Sequence, residues 1–114
     1  MSRAKRKYPR RAFSKVIGVL HHGQYCIARA QVIGEGGISL HCDQAYQVGD
    51  ELVVNFQIPN GDFVSIRSEI RSITAEDSRY QMGLLFKNIA FSNKRQIRAF
   101  VSARTDAEDA LIAS

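Results

Sequence analysis

Between Leu52 and Ile70 the chain keeps a strict two-residue step. Leu52, Val54, Phe56 and Ile58 alternate with Val53, Asn55 and Gln57, and Val64, Ile66, Ser68 and Ile70 take up the same step after Pro59-Asn60-Gly61-Asp62. Successive side chains of a strand point to opposite faces, so this spacing specifies strands with one buried face and excludes a helix. Asn60-Gly61 between the two halves predicts a two-residue type I′ hairpin.

The flanking sequence reads the same way. Val16–Leu20 and Tyr25–Ile33 are β-rich runs joined by a turn at His21-His22-Gly23-Gln24. Ile38–Cys42 is a further strand, followed by a turn at Gln47-Val48-Gly49-Asp50-Glu51, and Tyr80–Phe86 is another. Near the C-terminus the period changes. Ile97, Phe100 and Val101 recur at i, i+3, i+4 behind Ser92, which predicts a helix capped by Ser92 with one apolar stripe for the sheet. Thr105-Asp106-Ala107-Glu108 fits a capping box and a helical continuation through Leu111 and Ile112. Six or seven short strands and a helix predict a mainly β fold: a small, closed or nearly closed barrel with a helix across one end.

A chain of 114 residues, 45% of them hydrophobic, suits one compact domain. Its apolar runs are far shorter than the roughly 20 residues that span a bilayer, so a soluble, cytoplasmic protein without membrane insertion is expected. Cys26 and Cys42 form no CxxC pair and fall in predicted strands, as reduced packed residues do. His21, His22, Cys26, His41 and Cys42 are all of zinc-ligand type. His41 and Cys42 are adjacent on a strand and face apart, and His21 and His22 lie in a turn, so no metal site is expected. GxSxG, HExxH, Walker A and GxGxxG patterns are absent, which argues against an enzyme.

Charge is concentrated at one end. Arg3, Lys5, Arg6, Lys7, Arg10, Arg11, Lys15 and Arg29 precede Glu35, the first acid, within an overall balance of +5. Such an arm attracts phosphate on a nucleotide, nucleic acid or lipid, and also acidic protein. Within it stands Arg6-Lys7-Tyr8-Pro9-Arg10. Pro9 makes the segment extended, and two guanidinium groups four residues apart can reach one ligand from two sides, binding phosphate or guanine O6/N7 in bidentate fashion. Val32-Ile33-Gly34-Glu35-Gly36-Gly37-Ile38 places three glycines in four positions, marking a tight turn or a close approach to the backbone.

The order of RKYPR, GEGGISL, VGDEL and MGLLFKNIAFSNKRQIRAFV resembles the PilZ domain, a bacterial receptor module for cyclic di-GMP, over roughly residues 5 to 104. The resemblance implies a six-stranded antiparallel barrel with a C-terminal α-helix. It divides the chain into a basic arm (1–14), the barrel with its closing helix (15–104) and a C-terminal helical extension or tail (105–114). Arg6 and Arg10 match the family's RxxxR positions, and Gly83 and Phe86 its last strand. The family's (D/N)xSxxG motif falls on residues 32 to 37, of which Gly37 alone obeys it. Val32 replaces the acid or amide and Gly34 the serine, with Gln31 and Glu35 as polar substitutes nearby. The ligand-binding set implied is Arg6, Lys7, Arg10, Val32, Gly34, Gly36 and Gly37.

Three readings follow. One is a cyclic di-GMP receptor, needing no other cofactor, that binds through the arm and passes a conformational change to a protein partner. Another is an adaptor that has lost the nucleotide and works through protein contacts. The third, nonspecific binding of RNA or DNA, lacks a stacking platform, since Tyr8 and Phe13 are the arm's only aromatics. Specific nucleic-acid recognition is not expected.

Overall fold

The computed structural model describes residues 9–103, which form six strands and one helix: β1 (Arg10–His21), β2 (Gln24–Gly34), β3 (Gly37–Cys42), β4 (Glu51–Gln57), β5 (Phe63–Glu76), β6 (Arg79–Phe86) and α1 (Phe91–Ser102). All pairings are antiparallel, and the order β1-β2-β3-β6-β5-β4 closes when β4 pairs back onto β1. The alternation seen in the sequence is the inside-outside alternation of this barrel. Leu52, Val54, Phe56, Val64, Ile66 and Ile70 are buried, and Ser68 sits among them with its hydroxyl donating to the carbonyl of Ile66.

Strand β1 begins at Arg10, well before the expected Val16, so residues 10–14 of the anticipated arm pair with β2 instead. Phe13 is therefore a core residue rather than an arm aromatic. Its ring meets Phe56 at 5.6 Å and Phe100 at 5.9 Å, both edge-on, which ties β1 to β4 and to α1. Tyr8 lies outside the described residues.

Of the two predicted hairpin turns, the one at His21–Gln24 is as expected and the one at Asn60-Gly61 is not. The type I′ geometry appears at His22-Gly23, both with positive φ, between the paired His21 and Gln24. At Asn60-Gly61 only Asn60 is left-handed. Pro59 holds φ negative before it, Gly61 N–H donates to Ile58 O at 2.7 Å and Ile58 N–H to Asp62 O at 2.9 Å, giving a type II turn inside a wider loop.

The helix buries Ile97 and Val101 and half-buries Phe100, the predicted stripe. Its cap is Ala90, with no side-chain bond, and Ser92 lies within the first turn. Capping fails to decide the start because tertiary bonds do. Asn93 and Gln96 each donate to Asp62 Oδ2 at 3.1 Å, and Asp62 N–H donates to Gln96 Oε1 at 2.8 Å, pinning the first turns to the β4–β5 loop. The proposed capping box at Thr105 lies outside the described residues, as does the extension 105–114. No helix among the described residues is long and apolar enough to cross a membrane.

Candidate ligand-binding groove

Gly34 and Gly37 of VIGEGGI are explained by proximity and not by φ. Among the described residues the left-handed glycines are Gly23 and Gly49, so Gly34, Gly36 and Gly37 have ordinary backbone angles. Gly37 opens β3 opposite Leu85 of β6, and a Cβ there would collide with the carbonyl oxygen of Leu84. Gly34 closes β2 opposite Arg10, where a Cβ would stand 2.9 Å from Pro9 O and 3.4 Å from Arg10 Cγ. The two glycines let β1 and β6 close in on the β2–β3 connection from either side.

What this close approach leaves on the outer face is a groove of about 560 Å³ running across β2, β3, β6 and β5. Arg10, Val32, Gly34, Gly36 and Gly37 all line it. Of the remaining predicted residues, Arg6 and Lys7 lie outside the described residues. A strip of small residues, Gly37, Ser39, Ser72 and Gly83, runs along the floor beside the larger Met82, Leu84 and Leu85. Gly83, opposite Ser39 on one side and Ser72 on the other, continues the glycine strip, and a Cβ on it would come 2.8 Å from Ser72 Oγ. Among the described residues no carboxylate, imidazole or thiol lines the groove. Arg10 stands at one side and Arg71 on the β5 side, and among the described residues no carboxylate pairs with either. The strip of small residues leaves room for a flat ring, and two guanidinium groups beside it can donate to phosphate or a base edge.

Ser39, Arg71, Ser72 and Gln81 also line the groove and were not anticipated. They reach it through the β3–β6 and β5–β6 pairings, which no local pattern announces. Arg71 did leave a trace. Inward residues of β5 are even-numbered up to Ile70 and then shift to Ile73, because Arg71 is the extra residue of a β-bulge between Ile70 and Ser72. Gln31 is likewise the extra residue of a bulge in β2, and does not line the groove.

Glu35 is unavailable to a ligand. It is buried, and Arg98 of α1 grips it with both arms of its guanidinium, Nε donating to Oε2 at 2.8 Å and Nη2 to Oε1 at 3.0 Å. The hydrogen bonds from Arg98 hold its carboxyl below the ordinary value of 4.5, against a desolvation effect that acts the other way. A depressed carboxyl pKa contributes stability that is present above the ordinary value and lost as pH falls through the folded one. Arg98→Ala is expected to cost about 1.5 to 3 kcal/mol at neutral pH by leaving a buried carboxylate without its donors. Urea unfolding from pH 7 down to 3 should show the gap to wild type narrowing below 4.5; a gap independent of pH would mean that the pair is not what Arg98 contributes.

A family model for the PilZ domain matches residues 4–103. The chain belongs to the PilZ family. Solved structures carry the same fold at low identity. The inhibitor of motility MotI/DgrA of Bacillus subtilis superposes with a TM-score of 0.79 at 16% identity, over 87% of this chain and 50% of that one. The PilZ domain of YcgR from Escherichia coli, solved with c-di-GMP, gives 0.70 at 14%, over 96% of this chain and 98% of that one. The MrkH–c-di-GMP complex of K. pneumonia gives 0.67 at 18%, over 87% and 51%. The chain thus spans about half the length of MotI and MrkH and nearly all of the isolated YcgR domain. No functionally curated protein sequence matches it. Within this PilZ domain the six strands and the closing helix agree with the expected fold.

Proposed function

We propose that this PilZ domain is a cytoplasmic receptor for cyclic di-GMP that signals to a protein partner. The observation that carries the reading is the acid-free groove flanked by Arg10 and Arg71, lying where the family's binding motif falls on residues 32 to 37. In this proposal Arg10, with Arg6 and Lys7 upstream, holds the phosphates and a guanine edge. Guanidinium suits both contacts, since it donates two parallel hydrogen bonds to a phosphate or to O6 and N7. Gly34, Gly36 and Gly37 let the ligand's ring approach the backbone, with Val32 as an apolar wall. Arg71 supplies the cation on the far side, and Ser39 and Gln81 supply polar contacts to the ring edges. The chemistry is recognition: among the described residues the lining has hydroxyls but no base to activate them.

Isothermal calorimetry with cyclic di-GMP, repeated with GTP and a short single-stranded RNA, tests it. Heat with the dinucleotide alone is expected. Silence toward all three at tens of micromolar protein would favour the second reading, an adaptor without nucleotide, to which Val32 points by removing the motif's acceptor and Glu35, its nearby polar substitute, points by being buried against Arg98.

The motif can be rebuilt in part. Val32 is half-buried on the groove wall, so Val32→Asp places a carboxylate where a guanine edge would donate, expected to tighten binding by about 1.5 to 3 kcal/mol. Gly34→Ser is expected to work against it, because the new Cβ meets the Pro9 carbonyl and pushes the arm outward. Calorimetry on Val32→Asp and on the double variant checks this; a double variant that binds more tightly than Val32→Asp would show that the arm yields without cost.

A further inference from the structure

The side of the barrel formed by β2, β1, β4 and β5 is apolar where it meets solvent. Val16 is 59% exposed, Tyr25 65%, Ile27 66% and Phe63 69%, and Leu20 continues the row. The register makes them neighbours: Leu20 faces Tyr25 and Gly18 faces Ile27 across β1–β2, Gly18 faces Asn55 across β1–β4, and Gln57 faces Phe63 across β4–β5. The Tyr25 ring lies over Gly18, where any Cβ would strike its hydroxyl. Between Tyr25 and Ile27 on one side and Pro59, Asn60 and Phe63 on the other is a recess of about 700 Å³. Asn55 and Gln57 give it polar groups within a mostly apolar lining, and Asn55 Oδ1 accepts from Ser65 Oγ on the neighbouring strand at 2.5 Å. Contiguous exposed apolar surface rimmed by polar groups marks an interaction site.

The charge around the recess states what kind of partner. Lys15 lines it, Arg29 stands opposite Val16, and Arg67 stands opposite Val53, itself the partner of Leu20. Among the described residues the recess has no acidic lining residue and no carboxylate pairs with these three cations. Two copies packed through this face would bring like charges together, which disfavours a homodimer. A bilayer requires a protruding apolar surface, and here the apolar side chains border a hollow. We infer that this face docks an acidic polypeptide segment of a partner protein, its apolar side chains entering the recess and its carboxylates meeting Lys15, Arg29 and Arg67. The docking face lies along Lys15–Leu20 of β1 and the groove at Arg10, so partner and ligand occupy different stretches of one strand. The inference holds whether or not the groove takes cyclic di-GMP.

The test is an amide chemical-shift titration of the full chain with three short synthetic peptides. One alternates leucine with glutamate, one leucine with lysine, and one serine with glutamate. The leucine–glutamate peptide is expected to shift Tyr25, Ile27 and Phe63 and to leave Gly34 and Gly37 unmoved. Phe63→Ser with Ile27→Ser should weaken it about tenfold or more. Lys15→Glu with Arg67→Glu should do the same and gain affinity for the leucine–lysine peptide, a rescue that unfolding cannot imitate. Absence of shifts up to about 1 mM peptide, an affinity limit of some 4 kcal/mol, overturns the inference. So does equal binding of both glutamate peptides, which would indicate charge alone. It is also overturned by shifts of the same residues with anionic phosphatidylglycerol vesicles but not with peptide, by a dimer in sedimentation that the double apolar variant abolishes, or by the same shifts on truncating residues 104–114, which would assign the face to the chain's own acidic end.

Discussion

Gly37→Ala is expected to cost this protein about 3 kcal/mol or more, the upper part of the range for overpacking, because the added methyl meets a main-chain carbonyl. The oxygen belongs to Leu84, which is held by the β3–β6 and β5–β6 ladders and has no side-chain freedom with which to retreat. Relief requires β3 and β6 to separate, and these strands form the floor of the groove. Thermal unfolding followed by circular dichroism should show Tm lowered by more than about 10 °C, and ligand affinity should fall with it. Gly49→Ala is the appropriate control. Gly49 has φ +97 but open space around it, so alanine there incurs only backbone strain of about 1 to 2 kcal/mol. Equal stability of Gly37→Ala and wild type would contradict the pairing of Gly37 with Leu85.

Arg10→Ala is expected to weaken cyclic di-GMP about 10- to 100-fold, the equivalent of one charge-assisted contact of about 1.5 to 3 kcal/mol, with little change in folding. Its side chain is exposed, lines the groove and pairs with no carboxylate among the described residues. The neighbouring Arg11 should behave in the opposite way. Arg11 Nη1 donates to Phe100 O at 2.9 Å and its guanidinium lies 4.3 Å from the Phe100 ring centroid, so Arg11→Ala should loosen α1 and lower stability while leaving affinity nearly intact. Parallel calorimetry and unfolding of the two variants check the separation. Equal losses of affinity at both positions, with a steep salt dependence, would instead describe a diffuse cationic tail.

These contrasts show where sequence reading reaches its end in this protein. The alternation from Leu52 to Ile70, the hairpin at His21–Gln24 and the stripe of Ile97, Phe100 and Val101 were legible because each depends on neighbours in the chain. A strand shows its buried face in every second residue, and a helix in every third or fourth. The resemblance that assigned Arg10, Val32, Gly34, Gly36 and Gly37 to one site likewise rested on spacing, and those five do line one groove. Local signals misled where long-range contacts outweighed them. Asn60-Gly61 promised a two-residue hairpin, but Pro59 and the Asp62 bonds to α1 set a wider loop. Ser92 was a good cap by type and was overruled by the same anchoring.

By itself, then, the chain's order of residues determined a small β-barrel of six or seven strands with a closing helix and a cationic start, since periodicity and turn chemistry are properties of consecutive residues. Tertiary structure alone decided who the neighbours are. It set β6 against β3 so that Gly37 cannot bear a side chain, and it packed Pro9 over Gly34 so that the space left by the missing serine is filled. It also committed Glu35 to Arg98, residues 63 positions apart, and brought Arg71 round a bulge to the groove that Arg10 opens. Each of these is a contact between strands or between sheet and helix, where distance in sequence carries no information about distance in space.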